Sequence, residues 1–266
     1  EKGRDCRFCK SVQSAEILEE QLMWLQNLLD QGRYFSHDVF RNIVAIQNDA
    51  DLFEDLTQGD SDLLETAVQA EKDRLDEKNP AYKGFDYSKA IEYPFRAENF
   101  LRTRFADGTF PALYCSLELE TTIYETAYHM ARTEMAVEGV QERKAPILRK
   151  REVFIVYCSG YLIDLRGKEE DFPDIIADDY TTTNQIGRFV YNQGLPGILY
   201  DSARCSGTNL VSFRQEILNN PRSHCYLDYW FRPNEQKIEV VHSERPWFNI
   251  FFTELGGTCR SAQHTN

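Results

Sequence analysis

Residues 95–129 read FRAENFLRTRFADGTFPALYCSLELETTIYETAYH, and this stretch decides the fold. Phe110–Ser116 (FPALYCS) is short and apolar and follows the turn dipeptide Asp107-Gly108, which predicts a buried strand. Leu117–Arg132 then predicts a helix, with Ser116 as its N-cap and acids at 118 and 120 in the first turn. Arg96, Arg102 and Arg104 precede the turn, Tyr114 sits on the strand, and Glu125 lies midway along the helix. Cations, an aromatic ring and a carboxylate therefore occupy one strand–helix unit.

A second stretch, LPGILYDSARCSGTNLVSF at residues 195–213, places Ser202 and Arg204 directly after a buried strand, Ile198–Tyr200. Strands are also expected at Val153–Tyr157, Tyr161–Leu165, Leu210–Phe213, Tyr226–Phe231 and Ile238–His242, the last two joined by a turn at Pro233-Asn234. One more helix is expected at Thr183–Gln193, closed by Gly194. Strands outnumber helices from residue 90 onward, so this part is read as α+β with a mixed or antiparallel sheet core.

The N-terminal third has a different texture. Residues 1–80 hold 18 acidic and 9 basic side chains; the rest holds 25 and 21. Leu18, Leu22, Leu25 and Leu29 recur at helical spacing, a second helix is expected near 37–47, and a third begins at Asp62 with Glu65 in a capping-box-like pair. The expected organisation is an acidic helical region at 1–85, a main domain at 90–245 and a C-terminal tail at 246–266.

Composition bounds the function. With 266 residues, 42% of them hydrophobic, the chain can bury a substantial core. No apolar run is long enough for a transmembrane helix, and the start EKGRDCRFCK has no secretory apolar segment. The net charge of −13 argues against direct nucleic-acid binding, but local arginines still permit an anionic substrate. Seven dispersed cysteines do not form a disulfide framework and fit a reducing cytoplasm. Cys6 and Cys9 make one CxxC, half of a zinc site by spacing, without a second half, so no metal is expected. GxGxxG, Walker, GxSxG and HExxH motifs are all absent.

The residue types in the two blocks fit a site for a phosphorylated nucleoside. Arg forks bind pyrophosphate, Tyr offers a flat face, and Glu can hold ribose hydroxyls or stabilise an anomeric cation. Each part also has an ordinary reading: Arg102 and Arg104 as surface charges, Tyr114 as core, Glu125 as a solvated helix position, Ser202 as a turn residue.

The two blocks together resemble the RES domain, named for its Arg, Glu and Ser. The resemblance rests on Arg104-Phe105, Asp107-Gly108, Leu113-Tyr114, Glu120-Thr121-Thr122 and Glu125, then on Gly197-Ile198-Leu199-Tyr200-Asp201-Ser202-Ala203-Arg204 and Gly207, and covers about residues 90–245. Thr122 and Ile123 stand where the family often has Ala, a packing change. The resemblance implies a compact ADP-ribosyltransferase-like fold. It implies a toxin of a bacterial toxin–antitoxin pair that depletes NAD+ by cleaving its nicotinamide–ribose bond, with phosphate (NAD+ phosphorylase) or water (NAD+ glycohydrolase) as acceptor.

Carried over by motif, the catalytic set is Arg104, Tyr114, Glu125 and Ser202. Arg96, Tyr114 and Arg204 are expected to bind substrate, with the pyrophosphate against Arg96 and Arg104. Ser202 is expected to bond the nicotinamide amide or the ribose, and Arg204 to bind an acceptor phosphate or fix its loop. NAD+ is expected as substrate and no prosthetic group is implied. The implied partner is an antitoxin or immunity protein, and the implied location is the cytoplasm, either of the producing cell or of a target cell reached by delivery. Two other readings of the same scaffold are an ADP-ribosyltransferase acting on a macromolecule and a non-catalytic nucleotide-binding regulator.

Overall fold

The computed structural model describes residues 27–45, 89–170 and 173–255. Its strands are β1 (Gly32–Val44), β2 (Leu113–Ser116), β3 (Ile147–Asp164), β4 (Gly197–Asp201), β5 (Thr208–Ser212), β6 (Leu218–Arg232), β7 (Lys237–His242) and β8 (Arg245–Phe251). The helices are α1 (Lys89–Glu92), α2 (Leu119–Met135), α3 (Thr181–Asn192) and α4 (Phe252–Leu255).

The strands form one sheet in the order β1-β2-β5-β4-β3-β6-β7-β8, and β1 also pairs with β3. The first five strands in that order therefore close into a ring, and β6, β7 and β8 extend from β3 as a wing. Every pairing is antiparallel except β3 with β4. The fold is α+β with a mixed, mostly antiparallel core, as the strand-rich texture from residue 90 predicts.

Two helices clamp the sheet. α2 buries Ile123 and Ala127 against Val153, Leu227, Tyr229 and Phe231. α3 buries Ile186 and Val190 against Ile198, Val211 and Phe105. Gly194, with φ of 75°, follows α3 in the left-handed conformation expected after a helix C-terminus.

The N-terminal reading needs a correction. The helix expected near 37–47 is the strand β1, which pairs with β3 from Gly32↔Ile163 to Val44↔Arg151. Phe35, Val39 and Ile43 are four apart, a spacing that places residues on one face of a helix and equally on one face of a strand. Long-range pairing with β3 resolves the ambiguity, and the β-branched Val39, Ile43 and Val44 suit it. Residues 27–29 are helical and Leu28 is fully buried. The rest of the expected helix at 14–30, the helix starting at Asp62, the boundary near Asn79-Pro80 and the Cys6–Cys9 pair lie outside the described residues.

Three further expectations are revised. The tail begins later than residue 246, because β8 pairs with β7 along its length and buries Ile250. The two strands around Gly160 are one, since that glycine does not break the ladder: a Cβ there would meet Ile217 Cγ2 at 2.9 Å, so the position needs a small residue. The N-cap of α2 is Glu118, and Ser116 is instead a strand residue whose hydroxyl donates to Asn209 Oδ1 at 2.8 Å.

Among the described residues no helix is long and apolar enough to cross a membrane.

Candidate active site

Local sequence places α2 so that Thr122, Glu125, Thr126, His129 and Arg132 face a cavity of about 1310 Å³. Their spacings of three and four make one polar stripe, while Ile123, Ala127 and Ala131 turn to the core. Eight cationic side chains line this cavity against four carboxylates. A chain of net charge −13 thus carries a locally cationic cleft.

Glu125 is held from behind. Its Oε1 accepts hydrogen bonds from Ser202 Oγ at 2.7 Å and Asn209 Nδ2 at 2.6 Å. No protein donor among the described residues reaches Oε2. Ser202 is itself fixed: its backbone N–H donates to the Gly207 carbonyl and its hydroxyl accepts the Arg204 backbone N–H at 3.0 Å. The Asn209 amide is oriented by Ser116, directly opposite it in the β2–β5 ladder. Because the Ser116 hydroxyl donates to Oδ1, the amide nitrogen is the end presented to Glu125.

Two backbone approaches require glycine here. A Cβ on Gly207 would meet Thr121 Oγ1 at 1.9 Å, where the loop packs against the first turn of α2. A Cβ on Gly187 would meet the Phe105 carbonyl oxygen at 1.8 Å, where α3 lies on the Arg104-Phe105 backbone. One turn earlier, Asn184 Nδ2 donates to the carbonyls of Thr103 and Arg104 at 2.6 and 2.8 Å.

Tyr114 stands beneath Arg104. Its hydroxyl bonds Thr103 Oγ1 at 2.8 Å and accepts the Phe105 N–H at 3.0 Å. Burial pushes its pKa up to about 12, so the phenol stays neutral. Arg104 Nη1 donates to the carbonyls of Ile175 and Ala177 at 2.7 and 2.6 Å, and its guanidinium lies over the Tyr180 ring. Arg204 donates to Asp178 Oδ1 at 2.5 Å and to the Leu255 carbonyl at 3.2 Å, and stacks on Tyr128 with its carbon 3.4 Å from the ring centroid. That hydrogen bond holds the Asp178 carboxyl below the usual range. The two motif arginines therefore strap the 175–180 segment over the cleft from both sides.

The structure brings Arg104, Tyr114, Glu125 and Arg204 to one cavity, with Ser202 immediately behind Glu125. Ser202 is buried and its hydroxyl donates to Glu125, so it positions the carboxylate. Arg204 fixes loops through Asp178, the Leu255 carbonyl and the Tyr128 ring, and its buried Nε has no protein partner among the described residues. Arg96 is not brought in. It lies at an exposed, extended bend between two 3-10 turns, pairs with Glu92 at 3.8 Å and does not line the cavity.

Sequence reasoning missed Asn209, Asn184, His129, Arg41 and Arg151. The signal for Asn209 was present: an amide inside Thr-Asn-Leu-Val, an apolar strand, must find a partner when buried. His129 lies one turn after Glu125; burial lowers its pKa and the Glu125 charge partly offsets this. Among the described residues no cluster of His, Cys, Asp and Glu is placed to hold a metal.

Fold and site together define an α+β domain whose two motif blocks converge on a cationic cleft around one fixed carboxylate. The RES domain model matches residues 73–232, and the chain belongs to that family. Among solved structures it is similar to the MbcT–MbcA toxin–antitoxin complex of M. tuberculosis, with 14% identity, coverage of 79% of this chain and 92% of that one, and a TM-score of 0.44. No curated protein matches the chain.

Proposed function

We propose that this protein is a RES-type toxin that cleaves the nicotinamide–ribose bond of NAD+, with phosphate or water as acceptor. The observation that carries the reading is the Glu125 carboxylate, bonded twice through one oxygen and open at the other, in a cationic cleft. Membership of the RES family supports the toxin role and an antitoxin partner. Cytoplasmic NAD+ is the proposed target, in the producing cell or in a cell that receives the protein.

The chemistry follows from charge. When the bond from ribose C1′ to the pyridinium nitrogen breaks, its electron pair goes to nitrogen and nicotinamide leaves neutral. No general acid is needed. Positive charge develops on the ribose, as in glycoside cleavage, and a fixed carboxylate stabilises it without reorganising. Ser202 and Asn209 supply that fixity, so Oε2 is the atom presented to the ribose hydroxyls or the ring cation. An acceptor oxygen then bonds C1′ and its proton passes to solvent. Arg104 and Arg204 contribute by ordering the 175–180 segment, whose Tyr180 lines the cleft.

The test is incubation of purified protein with NAD+, with and without inorganic phosphate, resolving products by mass. Free nicotinamide with ADP-ribose, or with its phosphate adduct, is expected. Glu125→Gln is expected to lower the rate on the order of 10²- to 10³-fold, as for loss of one preorganised electrostatic group. Intact NAD+ under both conditions, or full activity in Glu125→Gln, overturns the reading. Label passing from NAD+ to a macromolecule would make the protein an ADP-ribosyltransferase.

A further inference from the structure

An imidazole faces the cleft without a hydrogen-bond partner. His129 lies on α2 one turn after Glu125, at the i, i+4 spacing that puts two side chains on one face of a helix, and both line the cavity. The Tyr128 ring meets it edge-on, with centroids 5.3 Å apart. Its outer side is open to the cleft. Among the described residues no hydrogen bond reaches either ring nitrogen. Desolvation by the cleft walls lowers its pKa; the Glu125 charge on the same helix face offsets part of this, and Arg204, Arg104 and Arg132 lower it further.

The cleft carboxylates have other work. Glu125 faces the ring cation, Glu134 accepts from Arg149 Nε at 2.8 Å, and Asp178 is held by Arg204. Asp179 Oδ1 accepts the Thr181 N–H and hydroxyl at 3.0 and 2.8 Å. The Tyr114 phenol, pushed up to about 12, is already protonated, and guanidinium and ammonium groups have no lone pair to offer. The two acceptors also differ in what they demand. A water that bonds C1′ must lose a proton, whereas hydrogen phosphate dianion attacks through an oxygen that is already ionised. An unbonded neutral imidazole beside the fixed carboxylate meets the demand of water.

We propose that His129 takes the proton of an attacking water, so that water is the acceptor this cleft activates; the assignment rests on the NAD+ reaction proposed above. As the C1′–nitrogen bond gives its electron pair to nicotinamide, the water oxygen bonds C1′ and its O–H proton passes to a ring nitrogen of His129. The imidazolium then releases that proton to solvent through the open side of the cleft. NAD+ and water give ADP-ribose, nicotinamide and one proton. Glu125 stabilises the cation and His129 removes the proton, two roles on consecutive turns of one helix.

The experiment measures ADP-ribose formation from NAD+ by the full chain in phosphate-free buffer between about pH 5 and 8. It compares wild type with His129→Gln and with His129→Ala, the latter with and without added imidazole. Loss of the base is expected to lower the rate by about 10²- to 10⁴-fold. Wild-type activity is expected to fall as pH drops through the lowered His129 value, below the ordinary 6.5 or so, because the neutral ring is the working form. That acid limb is expected to vanish in His129→Gln, and imidazole is expected to restore part of the His129→Ala rate, which a merely structural defect would not allow. Hydrolysis by His129→Gln at the wild-type rate, or an acid limb that persists in it, overturns the role, as does a wild type that consumes NAD+ only when inorganic phosphate is added. NAD+ left intact by wild type at every pH, with and without phosphate, overturns the proposed reaction and this role together; NAD+ cleaved equally by wild type and variant overturns this role alone.

Discussion

Asn209→Ala removes one of the two donors on Glu125 Oε1 and leaves the fold's main contacts in place. The bond lost is 2.6 Å long and runs to a carboxylate. Such a bond contributes about 1.5–3 kcal/mol, so kcat/KM for NAD+ cleavage is expected to fall about tenfold to a hundredfold. The cost in stability has a separate source. Ser116, buried opposite Asn209, loses the acceptor of its hydroxyl. An orphaned buried donor costs about 1–3 kcal/mol, which for a chain of this size lowers Tm by several degrees. Nicotinamide release measured well below the new Tm separates the two effects. Ser202→Ala, which removes the other donor, is expected to give a loss of similar size. Since both act on one oxygen, the double variant is expected to fall short of, or exceed, the product of the singles. Wild-type kcat/KM in Asn209→Ala, or strictly multiplicative effects, would refute the claim that the pair holds Glu125 as a unit.

Four further outcomes are expected. Arg96→Ala should retain kcat/KM within a few-fold, because its exposed pair with Glu92 lies away from the cleft; a hundredfold loss would return Arg96 to the site. Gly187→Ala should destabilise the protein by about 1–3 kcal/mol or more in denaturant melts, since the added methyl meets a backbone oxygen that cannot swing aside. The Asp178 carboxyl is held low by Arg204, so its contribution is present above the ordinary Asp value of about 3.9 and lost as pH falls through the lower folded value. Hydrogen exchange in 175–180 should therefore accelerate in acid, and Asp178→Asn should show the same acceleration at neutral pH. The His129 ring should titrate by NMR below the ordinary value of about 6.5, and lower still in Glu125→Gln, where the offsetting carboxylate is gone. An upward move in that variant would exclude the coupling.

Much of the fold from residue 90 onward was legible because its signals are local. Gly108 and Gly194 both adopt positive φ where the sequence marks a turn and a helix end. The α2 helix and strands β2, β4 and β7 fall within a few residues of their expected positions. The errors occur where the chain depends on a distant partner. β1 read as helix because a four-residue apolar spacing serves both periodicities, and only β3, more than a hundred residues away, selects the strand. β8 read as tail because its alternation is weak and its order comes from β7.

The sequence by itself determined which residue types meet. Arg104, Tyr114, Glu125 and Ser202 stand in two ordered blocks, each built on a strand with its following turn, and such local units carry their side chains to one end of a sheet whatever the remaining topology. Only the tertiary structure decided what each residue does there. It turned Arg96 out to solvent, placed Ser202 behind Glu125, added Asn209 as the second donor, and brought Arg41 into the cleft from a strand beyond the family match. The physical reason is that motif spacing determines position along an element, whereas hydrogen-bond partners and burial depend on which elements pack together. That choice is made by the whole core at once, and no short stretch of sequence contains it.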